Sequence, residues 1–120
     1  MEENEKFNTS LEVLLKTVVH NKASDLHIVS RSEPQIRIDG TLRPLELGVL
    51  SGHDIQDICY ALITDVQKSE LEENRELDFA IELPGVGRFR GNYYYTMNGD
   101  LAAAFRIIPT EIPSLDDLKA

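Results

Sequence analysis

Residues 77–109 read LDFAIELPGVGRFRGNYYYTMNGDLAAAFRIIP. Three runs of period-two alternation are separated by two short, glycine-containing turns. In the first run Leu77, Phe79, Ile81 and Leu83 alternate with Asp78, Ala80 and Glu82, the pattern of a half-buried strand. In the second, from Arg88 to Tyr95, one face holds Phe89, Gly91, Tyr93 and Tyr95. The other holds Arg88, Arg90, Asn92 and Tyr94. In the third, Leu101, Ala103, Phe105 and Ile107 alternate with Ala102, Ala104, Arg106 and Ile108. The stretch is predicted to form three antiparallel strands.

Register decides what faces outward. A two-residue Asn98-Gly99 turn would pair Arg90 with Ile107 and scramble the faces. A three-residue loop of Met97, Asn98 and Gly99, with Gly99 supplying φ > 0, pairs Arg90 with Arg106 and Tyr93 with Ala103. Every large apolar residue except Ile108 and Tyr94 then shares one face. A one-residue slip flips every side chain, so the three-residue loop is predicted. The same parity argument at Pro84-Gly85-Val86-Gly87 sets Phe89 opposite Leu83 and Glu82 opposite Arg90. The outward face then carries Arg88, Arg90 and Arg106. Opposite charges across a sheet contribute roughly 0.2–1 kcal/mol, so Glu82 is expected to neutralise Arg90 and leave Arg88 and Arg106 without an obvious partner. Two readings stand. One is an ordinary solvated face with a single ion pair. The other is an anion-contacting patch suited to phosphate, which guanidinium groups bind bidentately.

The whole chain of 120 residues suits one domain with a modest core. Its 42% hydrophobic and 28% charged residues are those of an ordinary globule. A net charge of −9 argues against non-specific nucleic-acid binding and against docking on anionic lipid. No RNA-binding signature, apolar spanning run or secretory leader is legible, and the expected location is the cytoplasm. The single Cys59 forms no internal disulfide.

Residues 1–8 are polar and acidic and are expected to be a disordered tail. Thr9 or Ser10 is placed to cap a helix reaching about Asn21, with Leu11, Leu14, Leu15, Val18 and Val19 as its apolar stripe. Strands are predicted over Asp25–Ser30, Pro34–Asp39 and Thr41–Leu45, the last two joined by an Asp39-Gly40 hairpin. Ser51 to Asp54 resembles a capping box opening a helix to about Thr64. Cys59 lies in its apolar stripe, as a buried structural thiol or a reactive one. Val66 to Asn74 is expected to be a short, charged, exposed helical turn. The fold class is therefore α+β: an antiparallel sheet of about six strands with helices packed on one face, over residues 9–109. Pro109, Pro113 and a Ser114 cap read as a linker, 110–120, leading into a new helix and a further domain.

Few motifs carry chemistry. No glycine begins a P-loop. His20, His27 and His53 are isolated, and one cysteine with scattered histidines makes no metal site. No nucleophile elbow is present. Asp25 and His27 share a strand face, either as a proton-handling pair or as a strand-edge carboxylate with a hydrogen-bonded histidine. The chain is not expected to be catalytic by itself.

Four stretches, in order, resemble the N-terminal domain of the PilT-type ATPases of type IV pilus retraction (twitching motility), within the secretion ATPase superfamily. They are Ala23-Ser24-Asp25-Leu26-His27, then Arg37-Ile38-Asp39-Gly40-Thr41-Leu42, then Pro84-Gly85-Val86-Gly87-Arg88-Phe89-Arg90 with Asn92, and Phe105-Arg106-Ile107-Ile108-Pro109. The resemblance implies a PAS-like domain joined by a flexible linker to a RecA-like ATPase domain. Six subunits would form a ring at the pilus inner-membrane machinery, each N-terminal domain packing on the ATPase domain of its neighbour. ATP and Mg²⁺ would be held by the RecA-like domain, whose motifs this chain lacks. Arg88, Arg90 and Arg106 are the positions implied to reach the nucleotide; Asp25, His27, Arg37, Asp39, Gly40 and Asn92 are implied to be structural. Gly91 departs from the family's usual β-branched residue and is expected to weaken its strand. The segment from Tyr93 to Asp100 lacks the Gln- and Arg-containing turn often seen there. Outside this resemblance, a free-standing small-molecule sensor using room left by Ala102, Ala103 and Ala104, or an acidic adaptor, is open.

Overall fold

The alternation at 77–109 becomes three long strands: β4 (Glu76–Leu83), β5 (Gly87–Tyr95) and β6 (Leu101–Ile108). The computed structural model describes residues 2–46 and 48–109, so the expected linker at 110–120 lies outside the described residues. Ahead of these strands come α1 (Glu2–His20), β1 (Asp25–Ile28), β2 (Gln35–Ile38), β3 (Thr41–Pro44), α2 (Gly52–Tyr60) and α3 (Asp65–Asn74). The six strands make one antiparallel sheet in the order β3-β2-β1-β6-β5-β4. The fold is α+β, with six strands and three helices.

The second hairpin has the expected register: Arg90 opposes Arg106 and Tyr93 opposes Ala103. Its loop closes with the Thr96 N–H donating to the Asp100 carbonyl at 2.8 Å, and Gly99 takes φ 88°. The first hairpin does not. Its faces are as read, but its pairs shift by two residues, so that Ile81 opposes Phe89 and Glu82 opposes Arg88. The turn is tighter than expected. The Val86 N–H reaches back to the Leu83 carbonyl at 2.9 Å, Gly85 takes φ 78°, and Gly87 already pairs with Leu83. At the other edge Asp39 and Gly40 both have positive φ, 53° and 83°, the two-residue hairpin that an Asp-Gly pair favours.

One sheet face is apolar. Leu26, Ile28 and Ile36 from the first strands meet Phe89, Tyr93, Ala103 and Phe105, all buried. Helices α1 and α2 cover this face with Leu11, Leu14, Leu15, Val18, Ile55, Ile58 and Cys59. Phe79, Tyr93 and Phe105 meet edge to face, with ring centroids 4.7–6.1 Å apart. Gly91 makes that cluster possible: a Cβ there would lie 2.6 Å from the Phe79 ring and 3.0 Å from the Phe105 ring. The Tyr93 hydroxyl donates to the Cys59 carbonyl at 2.8 Å, tying α2 to β5. Burial pushes the Cys59 thiol up to about 12, although a Tyr93 contact opposes the shift. The thiol is therefore inert core, not a reactive group.

Three element boundaries differ from expectation. Helix α1 starts at Glu2 rather than at a Thr9 or Ser10 cap, so most of the expected disordered tail at 1–8 is helical. Glu and Lys are good helix formers, and Thr and Ser cost little inside a helix. Helix α2 ends at Tyr60 because the Leu62 N–H turns back onto the Cys59 carbonyl at 3.2 Å, which points Ile63 into the core. Thr64 is then free to cap α3, forming a second capping box with Gln67. Helix α3 is more than an exposed turn, because Leu71 is fully buried beneath it.

The first capping box is present as read, with the Ser51 hydroxyl accepting from the Asp54 N–H at 3.1 Å. Ser51→Ala is expected to destabilise the chain by about 1 kcal/mol in urea unfolding; an unchanged midpoint would mean that the cap is dispensable.

Candidate anion-binding face

The second sheet face is polar, and its residues lie in register across the strands. One row runs Leu42, Arg37, Asp25, Arg106, Arg90, Ala80 from β3 to β4. The next row runs Gln35, His27, Ala104, Asn92, Asp78 from β2 to β4. On the other side of the first row, Arg88 sits between Ile108 and Glu82. A shallow hollow of about 230 Å³ opens over the first two rows, with Ala104 on its floor and Arg90, Arg106, Asp25, His27 and Asn92 around it.

The three arginines are exposed. Among the described residues no carboxylate lies within 4.0 Å of any of them. In the observed register Arg90, not Arg88, lacks an acidic residue across the strand. Glu82 stands across from Arg88, whereas Arg90 has Ala80 on one side and Arg106 on the other. Like charges directly opposite on a sheet destabilise it, so Arg90, between Ala80 and Arg106, is the least compensated of the three, while Arg106 has Asp25 across from it on its far side.

Asp25 is the exception in that row. It is 7% exposed and is the one buried charged residue among the described residues. Its Oδ1 accepts from the Ser24 hydroxyl. Its Oδ2 accepts from His27 Nε2 at 2.6 Å and from Arg37 Nε at 3.3 Å. Burial alone would raise its pKa; the bonds from Ser24, His27 and Arg37 outweigh burial and hold it below 3.8. The Asp25–His27 pair is thus part of a charge network rather than an isolated proton relay. Arg37 also donates to the Gly40 carbonyl at 3.3 Å, fixing it between Asp25 and the hairpin turn. Asn92 donates to Asp78 Oδ1 at 2.8 Å, so it braces β4 against β5. Asp39 serves through its backbone in the turn.

Because the folded-state pKa of Asp25 lies below the unfolded value, its ionisation stabilises the fold above 3.8 and that contribution is lost as the pH falls through the lowered value. An acid titration of Asp25→Asn is therefore expected to show a shallower loss of stability below about pH 4 than the wild type; parallel acid limbs would contradict the network.

Two features escaped sequence reading. Asp78 lines the hollow opposite Asn92, which donates to it; that opposition follows from a three-residue first turn. The placement of Asp25 beside Arg106 depends on β1 pairing with β6, a long-range contact with no local signal. Among the described residues, no group of three or more His, Cys, Asp or Glu is placed to hold a metal ion, and no helix is long and apolar enough to cross a membrane.

Comparison with known proteins gives a consistent set of relatives. The chain is 38% identical over 96 residues to the type IV pilus retraction ATPase PilT of Pseudomonas aeruginosa, covering 80% of this chain and 28% of that protein. It is 35% identical over 111 residues to the twitching motility protein of Neisseria gonorrhoeae, covering 92% of this chain and 29% of the relative. A crystal structure of the pilus retraction motor PilT with bound ADP superposes with a TM-score of 0.77 at 36% identity, over 89% of this chain and 31% of that one. The Legionella pneumophila ATPase DotB shares the fold, with a TM-score of 0.76 at 21% identity over 92% of this chain and 31% of its own. The chain thus spans under a third of the length of these relatives. No protein-family profile matches it.

Proposed function

We propose, from the premise that this chain belongs to the N-terminal domains of the PilT-type pilus retraction ATPases, that it is the regulatory and assembly domain of a hexameric motor driving type IV pilus retraction. In that reading the domain packs on the RecA-like ATPase domain of the adjacent subunit and turns its arginine-bearing face toward the nucleotide held there. The motor works in the cytoplasm, peripheral to the inner membrane, against the pilus machinery, and takes no nucleic acid.

The observation that carries this reading is the pairing of Arg90 with Arg106 over an open hollow, without a carboxylate partner among the described residues. Two guanidinium groups held side by side on rigid strands suit the phosphates of a nucleotide. ATP would supply the phosphoryl chemistry and the RecA-like domain its Mg²⁺. The arginines of this chain would stabilise phosphate charge as it develops. That a PilT homologue was crystallised with ADP supports nucleotide as the anion. Ala104 floors a charged hollow, and Ala103 is buried in the core against Tyr93; neither arrangement resembles the apolar ligand cavity of a small-molecule sensor.

The test is ATP turnover by the full-length protein with Arg88, Arg90 and Arg106 all replaced by alanine. Loss of turnover in an assembled ring is expected. Unchanged turnover would overturn the reading and favour an adaptor acting through its acidic surface.

A further inference from the structure

The row that carries the two arginines also carries a carboxylate. Asp25 is directly opposite Arg106 across β1 and β6, as Arg37 is opposite Asp25 across β1 and β2. Residues opposite each other in an antiparallel pair are close enough for their side chains to meet. Arg106 is nonetheless not paired with Asp25, since no carboxylate of a described residue lies within 4.0 Å of it. The reason is visible on the other side of Asp25. An ionised carboxylate offers about four acceptor positions. Three are taken, one on Oδ1 by the Ser24 hydroxyl and two on Oδ2 by His27 Nε2 and Arg37 Nε, so a single Oδ1 position is left and the two-point pairing that a guanidinium favours has no place.

We propose that His27 and Arg37 are positioning residues: by occupying Asp25 they keep Arg106 from collapsing onto it, and so hold Arg106 free for the phosphate of a bound nucleotide. This inference rests on the proposed function and deepens it. Neither His27 nor Arg37 need touch the ligand. Arg37 is anchored at both ends, on Asp25 and on the Gly40 carbonyl, which fixes it to its own side of the carboxylate. His27, two residues along β1 from Asp25, caps the same oxygen from the hollow side. If either bond is removed, an acceptor position opens on a buried, ionised carboxylate that faces a guanidinium already repelled by Arg90. The Asp25–Arg106 pair then forms, and the site loses both the charge and the reach of Arg106.

The consequence runs against simple charge counting. Removing a residue that never contacts nucleotide weakens nucleotide binding, and removing the carboxylate as well restores it. A purely structural role for Arg37 also predicts rescue by Asp25→Asn, because a buried carboxylate short of a donor destabilises the fold, but it lowers the urea midpoint of Arg37→Ala along with ADP binding, whereas the positioning role weakens binding in a variant that stays folded under the assay conditions.

The experiment is ADP affinity of the full-length protein, measured by titration for Arg106→Ala, Arg37→Ala, Arg37→Lys and the double variant Arg37→Ala/Asp25→Asn. A charge-assisted phosphate contact is worth about tenfold or more in Kd. Arg106→Ala and Arg37→Ala are each expected to weaken binding by about tenfold. Arg37→Lys, which keeps a cation beside Asp25, and the double variant are expected to return to within about threefold of wild type. An unaltered Arg37→Ala, or a double variant as weak as the single, overturns this inference. If Arg37→Ala fails to fold, His27→Ala and His27→Ala/Asp25→Asn are read by the same criterion. The two levels separate cleanly. If Arg106→Ala itself binds ADP as well as wild type, the proposed role of Arg106 fails with it; if Arg106→Ala is weak but the double variant is not restored, only the positioning role falls.

Discussion

Arg106→Ala in the full-length protein is expected to lower ATP turnover by roughly 10³-fold, the lower end of what a charge-stabilising arginine contributes to phosphoryl transfer. Stability should barely change. Arg106 is exposed and makes no ion pair with a described residue, and exposed substitutions of this kind stay within about 0.5 kcal/mol. Removing it even relieves its opposition to Arg90. The register also orders the three arginines. Arg90 shares the row and should follow Arg106. Arg88 should matter least, because it lies outside the hollow that Arg90 and Arg106 line. Turnover measured on the three single variants checks this order. A variant at Arg88 that costs more than one at Arg106 would mean that the nucleotide approaches a different part of the face.

Gly91→Val should destabilise the domain by roughly 2–3 kcal/mol. Two effects compete. Valine favours strands over glycine by at most about 1 kcal/mol. Against that, its Cβ alone would lie 2.6 Å from the Phe79 ring and 3.0 Å from the Phe105 ring. Those rings are not free to step aside, since both stand edge-on to Tyr93, and Tyr93 is tied to the Cys59 carbonyl. Overpacking wins, out of a total stability that for a domain of this kind is about 5–15 kcal/mol. Urea unfolding of the 120-residue chain would read the loss, and Gly91→Val combined with Phe79→Leu should recover part of it. Equal or greater stability in the single variant would show that the aromatic cluster yields, and that Gly91 weakens its strand as its sequence context suggests.

The legible parts of this fold were those fixed by local parity. The Tyr93–Ala103 and Arg90–Arg106 pairs follow from a period of two and a turn in which Gly99 takes positive φ. The Asp39-Gly40 hairpin and the Ser51 box follow from turn and cap chemistry alone. The first turn is two residues shorter than the pattern suggests because both lengths keep the same faces, so hydrophobic patterning cannot separate them; the observed turn has Gly85 and Gly87 at positive φ. Helix α2 is shorter than its apolar pattern suggests because Leu62 and Ile63 continue that pattern while serving a tight turn into the core. A Thr64-x-x-Gln67 box was there to end it. The candidate site was half visible. Its arginines share a face by parity, but their relation to Asp25 and Arg37 needs β1 to lie against β6, across a separation of about eighty residues that no local rule spans.

A structure of the full-length protein with a bound ATP analogue tests the arginine assignment most directly. The guanidinium of Arg106 or Arg90 is expected within about 3.2 Å of a phosphate oxygen, with the hollow over Ala104 turned toward a neighbouring ATPase domain. A nucleotide bound with this sheet face turned to solvent, and none of Arg88, Arg90 or Arg106 near a phosphate, would contradict it.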